Sequence, residues 1–305
     1  MDKLLIGHST TRYLKPAVYA LLTGLFMLIL IKTAWLDEDF FITLRVVDNF
    51  WHGHGLRWNI SERVQVYTHP LWMLALLGAY GVTAEFFFTT LFMSMIISLC
   101  AVLLLTAFVS AGFPQTVCAL LLLIFSRTYI DFCTSGLENP LSYLLVVLFV
   151  IALFHPSKGF RRTLAISFIG ALLMLNRHDF SLIVAPALAL TLWRHGLKKS
   201  VLPVTIGFSP LAIWHAFALV YYGFIFPNTA YAKLGHGAAR MDLIAQGMTY
   251  LAFTMSQDMI TLLIIAVGVC AGLCSRSAYS RALAIGAILY VIYVIVIGGD
   301  HIAGR

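Results

Sequence analysis

Long apolar runs separated by short polar gaps set the rhythm of this 305-residue chain. Ala17 to Ile31 is apolar apart from Thr23, and with its flanks to Trp35 it reaches the roughly 20 residues that a bilayer crossing takes. With residues 16–35 as the first, the runs at 68–83, 86–110, 141–154, 163–176, 181–193, 201–221, 258–274 and 282–298 predict about nine spans. The stretch "VCALLLLIF" at 117–125 is too brief to cross alone and predicts a re-entrant or half-depth helix, tolerated where protein covers its ends. Between the first two spans, Phe40, Phe41, Leu44, Val47 and Trp51 recur at three- and four-residue spacing. That period predicts an amphipathic helix along the membrane interface, with Thr43, Asp48 and His52 facing water.

Composition turns the pattern into a class. Hydrophobic residues make up 61% and charged ones 11%, too apolar for a soluble globule and fitting for an all-α polytopic membrane protein. A cleaved signal peptide is the competing reading of the first run, but no small-residue cleavage pattern follows it and many spans do. The whole of 1–305 reads as one transmembrane domain.

The net charge of +7 does not point to nucleic acid, because the cations sit in the gaps between spans. Lys3, Arg12 and Lys15 form one group, Lys158, Arg161 and Arg162 a second, Arg194, Lys198 and Lys199 a third, Arg276 and Arg281 a fourth. The positive-inside rule places all four, and the N-terminus, in the cytoplasm. The segments 36–67, 126–140, 177–180, 222–257 and 299–305 then lie outside. They hold Asp37, Glu38, Asp39, Asp48, Glu62, Asp131, Glu138, Asp179, Asp242 and Asp300, most of the chain's 13 acidic residues. Acidic residues hardly steer topology, so the rule that oriented the chain did not create this sorting. One face carries the chemistry. The five cysteines show no convincing metal-ligand spacing and read as small core hydrophobes.

Several outer segments carry candidate chemistry. "DED" at 37–39 ends the first span where a helix N-terminus favours anions, and its position at a membrane edge raises the weight of a functional role. "SGLENPL" brings Glu138 to a helix start. "NRHDF" packs Arg177, His178 and Asp179 between two apolar runs, and the short Asp179 side chain cannot snorkel far. "YYGFIFPNTAYAKLG" adds Asn228 and Lys233, the latter a cation on the outer side that topology does not explain and that suits a phosphate. "GGDHIAGR" sets Asp300 and Arg305 among glycines.

In order, "DEDFFITLRVVDNFWHGHGLRWN", "ERVQVYTHPLW", "SGLENPL", "NRHDF", "YYGFIFPNTAYAKLG" and "GGDHIAGR" resemble the bacterial membrane glycosyltransferases of the GT-C class. The resemblance is nearest to the group of AftB-type terminal arabinofuranosyltransferases and ZomB proteins, and covers nearly the whole chain from residue 35 onward. Glu38 and Asp39 match that group's paired acids, while Phe40 replaces its usual small residue. Gln65 and Val66 stand where Glu-Gly is usual and His69 where Ser is common, which implies a different acceptor or sugar preference, and His178 stands where Pro is frequent. The sequence stops at Arg305, where members of the group continue into more helices and a soluble domain, so the expectation is a truncated chain or a reduced member.

The resemblance implies transfer of a furanosyl unit, typically D-arabinofuranose, from a polyprenyl-phosphate carrier to a glycan or protein acceptor at the outer face of the bacterial inner membrane. Within it, Asp39 is expected to act as general base, with Glu38 assisting or coordinating a cation. Arg177, Lys233 and Arg305 are the candidates for stabilising the departing phosphate. Asp37, Arg45, His52, His69, Glu138, Asp179, Asn228 and Asp300 are candidate substrate ligands. An acidic pair suits Mg2+, Mn2+ or Ca2+, so a divalent cation at Glu38 and Asp39 belongs to the same reading. The rivals are a transporter or flippase, which would place ionisable groups near the bilayer midplane and show inverted repeats, and a non-catalytic cell-envelope scaffold of the flagellar type.

Overall fold

A computed structural model describes residues 3–234, 239–300 and 302, with side chains described for residues 15–231, 239–300 and 302. The chain is about 80% helix, with no strand among the described residues, as the all-α reading expects. It is a helical polytopic membrane protein.

Among the described residues, three helical stretches are long and apolar enough to cross a bilayer: Lys15–Thr33 within α1 (Lys3–Thr33), Phe87–Val109, made of α4 (Phe87–Leu104) and a π-helical turn, and α15 (Ala278–Val296). Two bent pairs bring the number to five if each is one span. The predicted run at 201–221 is one of them: α10 (Leu197–Gly207) and α11 (Ser209–Tyr222) meet at 56°. Pro210 causes the break, because its ring crowds the carbonyl four residues back and it has no N–H to continue the ladder. The other pair is α13 (Arg240–Gln257) and α14 (Met259–Cys274), which turn by 111° at Asp258. The sequence pattern left 240–257 inside an outer segment, whereas it forms an 18-residue helix packed on α15. At Gly247 a Cβ would lie 2.1 Å from the Ile295 carbonyl oxygen, so only glycine permits that crossing.

The apolar 117–125 stretch lies in α5 (Phe113–Phe125), whose 13 residues measure about 20 Å, short of the ~30 Å hydrocarbon core. α3 (Pro70–Thr83), α7 (Asn139–Phe154), α8 (Gly159–Asn176) and α9 (Ser181–His195) complete the main apolar set. α7, α8, α9 and α15 pack through Leu145, Phe149, Ile166, Leu173, Val184 and Ala282. Their sequential short connections make α7, α8 and α9 run up and down. One end of this group therefore gathers the starts of α7 and α9 and the end of α8.

The predicted amphipathic helix forms as α2 (Glu38–Trp51). Phe40 and Val47 are buried on it as the period requires, while Phe41 and Trp51 remain exposed. Thr43, expected to face water, is buried at 1% exposure, because its hydroxyl oxygen lies 2.7 Å from His69 Nε2 and the pair satisfies both groups without water.

Candidate functional site

At that end a cavity of about 350 Å3 opens, lined from all five predicted outer segments. Asp39 and Thr43 come from α2, and Tyr67 and His69 from the loop before α3. Glu138 stands at the start of α7, and Arg177, His178 and Asp179 lie in the turn between α8 and α9. Pro227 and Thr229 come from the start of α12 (Asn228–Leu234), Tyr290 and Tyr293 from the last turns of α15, and Asp300 from the glycine turn beyond it. A larger groove of about 520 Å3 runs along one face of α5. Only Phe113, Pro114, Val117, Cys118, Leu121, Leu122 and Phe125 line it, so it offers no polar chemistry.

A buried polar chain fixes the cavity wall. Arg177 donates Nε and Nη2 to the two carboxylate oxygens of Asp179 at 3.1 and 2.7 Å, and Nη1 to Glu138 Oε1 at 3.1 Å. The other oxygen of Glu138 lies 3.1 Å from His69 Nδ1, and His69 Nε2 meets Thr43 on α2. At the far end, the Tyr290 hydroxyl donates to Asp179 Oδ2 at 3.0 Å. Asn176 ties α8 to the start of α7, its amide donating to the Glu138 carbonyl at 3.0 Å and to Ser142 Oγ at 2.9 Å. Burial opposes the ionisation of Glu138, but the neighbouring His69 and Arg177 outweigh it and hold its carboxyl well below the usual range.

A second feature is a histidine pair. The Nε2 atoms of His178 and His215 lie 3.1 Å apart with the rings only 8° from parallel, so one Nε2–H donates to the other nitrogen. Phe226 packs edge-on against both rings, at 5.5 and 5.6 Å between centroids. Burial, helped by His215 and opposed by Asp179, pushes the His178 imidazole down to about 4, so at neutral pH it is uncharged.

The consecutive carboxylates at the start of α2 take three different environments. Asp37 is buried and caps the helix: its Oδ1 accepts from the Asp39 N–H at 2.9 Å, and its own N–H donates to the Ser135 carbonyl at 2.8 Å. Glu38 is exposed and does not line this cavity, whereas Asp39 does. Adjacent helix positions diverge by about 100°, which is why neighbours in sequence part in space.

Of the predicted substrate ligands, His69, Glu138, Asp179 and Asp300 line the cavity together with Arg177. Arg45, His52 and Asn228 do not. Arg45 is exposed, lying over the Trp58 ring at 4.6 Å with Nε donating to the Trp58 carbonyl. His52 pairs on the surface with Asp48, one helical turn back on the outward side of α2. Asn228 begins α12 exposed, its backbone N–H donating to the Gln65 carbonyl at 3.0 Å. The side chain of Lys233 and all of Arg305 lie outside the described residues.

Thr43, Tyr67, His178, Tyr290 and Tyr293 are cavity residues that the sequence did not single out as ligands. His178 stood inside a quoted motif. The tyrosines of α15 carried no separate signal, since aromatic residues near a span end read equally well as an interfacial belt.

Among the described residues, no group of three or more His, Cys, Asp or Glu side chains could hold a metal ion. Of the proposed Glu38–Asp39 pair, only Asp39 lines the cavity.

Fold and cavity define a helical membrane bundle that gathers Asp39, Glu138, Arg177 and Asp179 around one cavity at one end. Over 241 residues, 72% of the chain, the sequence is 30% identical to the terminal β-(1→2)-arabinofuranosyltransferase of Mycobacterium tuberculosis (strain ATCC 25618 / H37Rv). The matched part amounts to 37% of that relative's length. No protein-family profile matches the chain, and no solved structure does.

Proposed function

We propose that this chain houses the catalytic centre of a membrane glycosyltransferase that moves a furanosyl sugar, D-arabinofuranose in the first instance, from a polyprenyl-phosphate donor to a glycan or protein acceptor. The observation that carries the reading is the convergence of Asp39 and Arg177 on one cavity, in a chain similar to an arabinofuranosyltransferase. A lipid-linked donor needs a carboxylate for the acceptor hydroxyl and a cation for the phosphate, both at the membrane boundary. Asp39 takes the hydroxyl proton as the acceptor oxygen bonds to the anomeric carbon. The bond from that carbon to the phosphate oxygen breaks, and the polyprenyl phosphate leaves with the electron pair. Arg177 meets the charge gathering on the phosphate, a group preorganised by two carboxylates rather than by water. Lys233 and Arg305 join it as further cations in this proposal, on their place in the sequence. The polar cavity end faces the outside of a bacterial inner membrane, the N-terminus lies inside, and the path makes about nine crossings.

The test is turnover of a synthetic polyprenyl-phosphoryl arabinofuranose by purified protein. Asp39→Asn keeps shape and removes the base, so the rate should fall by roughly 10²- to 10⁴-fold. An undiminished rate at equal folding removes Asp39 from the role. Absence of sugar transfer by the wild type, with movement of the intact lipid between leaflets, turns the reading to a flippase.

A further inference from the structure

The end of the bundle away from the cavity holds an organised group of cations. The Tyr279 ring, on the first turn of α15, has the Arg162 guanidinium 4.6 Å and the Arg194 guanidinium 4.8 Å from its centroid. Tyr279 is buried at 5% exposure, and its hydroxyl accepts from Thr191 Oγ1 at 3.5 Å. Phe154 meets the ring edge-on at 6.4 Å. Arg162 Nη2 donates to the Leu153 carbonyl at the end of α7, while its Nε is buried without a hydrogen-bond partner. His195 stitches the ends of α8 and α10 beside it, its Nδ1 lying 3.0 Å from Thr163 Oγ1 and 3.2 Å from Ser200 Oγ. Arg162 stands 15 positions before Arg177 on the same helical path, roughly 22 Å away.

Two guanidinium groups on one ring repel each other, and nothing anionic stands between them. No acidic residue occurs in 139–178, 180–241 or 259–299, the segments that supply Lys158, Arg161, Arg162, Arg194, Lys198, Lys199, Arg276 and Arg281. None of the ion pairs among the described residues involves these cations. A cation over an aromatic face is steadied by the ring, and the guanidinium fork left over matches the oxygens of a phosphate. The surroundings are those of a lipid: Phe154, Phe160, Trp193 and Leu197 are exposed beside the arginines. Positive-inside sorting explains cations at this end, but not two of them gathered on one buried tyrosine.

We infer that Arg162 and Arg194, set on Tyr279, form a binding site for the phosphodiester headgroup of an anionic phospholipid, separate from the cavity. The headgroup neutralises the arginine pair and its acyl chains lie along the exposed apolar side chains beside it. The site does not depend on the glycosyltransferase reading.

Native mass spectrometry and thermal unfolding of the full chain test this, with phosphatidylglycerol, phosphatidylcholine and inorganic phosphate as separate probes. Phosphatidylglycerol should stay bound and raise the unfolding midpoint, more at low salt than at high, while phosphatidylcholine and inorganic phosphate should not. In Arg162→Gln/Arg194→Gln, its apparent affinity should drop by roughly tenfold or more, as the loss of two surface cations predicts. Arg63→Gln, which removes a cation stacked on Tyr221 at the other end, should leave it unchanged. Equal binding in the double variant, or equal stabilisation by phosphatidylcholine, overturns the site; an equal shift from inorganic phosphate overturns the lipid assignment. If the double variant does not fold, the headgroup and salt comparisons on the wild-type chain still decide.

Discussion

Arg177 and Asp179 face each other through two hydrogen bonds, one to each carboxylate oxygen, although only one residue separates them in the chain. The turn between α8 and α9 bends both side chains to the same side, and the remaining Nη1 reaches Glu138. Arginine is specified here by geometry as much as by charge. Arg177→Lys keeps the cation but has one nitrogen where three are used, so it cannot hold both carboxylates and a donor phosphate in register. Turnover in the donor assay should fall roughly tenfold to hundredfold, from the loss of charge-assisted bonds worth about 1.5–3 kcal/mol each. Wild-type turnover in Arg177→Lys would mean that the fork plays no part in the reaction.

Glu138 joins the arginine fork to α2 by way of His69 and Thr43, and its side chain is only 4% exposed. Glu138→Gln keeps the shape but leaves Arg177 and His69 without their shared anion. Removing one partner of a buried pair costs about 3–5 kcal/mol, and the 23% exposure of the Arg177 side chain puts this case at the lower end. The lowered carboxyl also gives a sign for acid. Its stabilisation is present above the ordinary carboxylate value of 4.5 and is lost as pH falls from there toward the lowered one. Thermal unfolding followed from neutral pH to acid should show a falling limb that Glu138→Gln flattens. An unchanged limb would assign the acid response to other carboxylates.

His178 gives a different window. Its imidazole is held near 4 against an ordinary 6.5, so the unfolded chain binds the extra proton first. Stability from this group is complete above 6.5 and falls as pH drops toward 4, by at most about 1.4 kcal/mol per pH unit. His178→Gln should remove that slope while leaving stability at neutral pH less affected. A slope that persists in the variant would place the titrating group elsewhere.

How far the sequence was legible depends on which interaction positions each residue. The all-α class, α2 and the five segments that meet at the cavity follow from hydrophobic period and charge sorting, which are local. Hydrophobic burial and backbone hydrogen bonding enforce those patterns wherever they occur. Thr43 and Tyr290 escaped because their roles come from partners 26 and 111 residues away, which only the helix crossings bring near. The period alone put Thr43 on the watery side of α2. The bend at 208 was visible as Pro210 but was absorbed into one apolar run, and α13 lacks the unbroken apolarity that marks a span.

The three carboxylates at 37–39 should part in function as they part in space. Asp37→Ala removes the cap from the Asp39 N–H, a change worth roughly 1 kcal/mol in helix stability, and it also frees the turn that aims Asp39. Its activity should fall severalfold, with Asp37→Asn closer to wild type because an amide oxygen can still accept. Glu38→Gln, on the exposed side of α2, should keep most of the activity and an unchanged response to added divalent cations. A collapse of activity in Glu38→Gln would instead favour the paired-acid mechanism.

Gly136 shows how backbone shape sets the base. It sits at φ +80°, a left-handed conformation that side-chain-bearing residues adopt only with strain, in the tight turn before α7. Its carbonyl accepts from Trp72 Nε1 at 2.8 Å, which locks the turn to α3. A Cβ there would come within 2.8 Å of Phe40 Cγ and 2.9 Å of Leu36 Cδ2, the residues on either side of the carboxylate triplet. Gly136→Ala therefore combines a left-handed penalty of roughly 1 kcal/mol or more with a clash against Phe40, which is 1% exposed and has little room to move. The unfolding midpoint should drop, and α2 should shift enough to lower turnover more than the stability loss explains at a temperature where the protein stays folded. Phe40→Leu gives the new methyl space, so the double variant should recover part of the lost activity. If Phe40→Leu only adds a further loss, the turn at Gly136 does not act through α2.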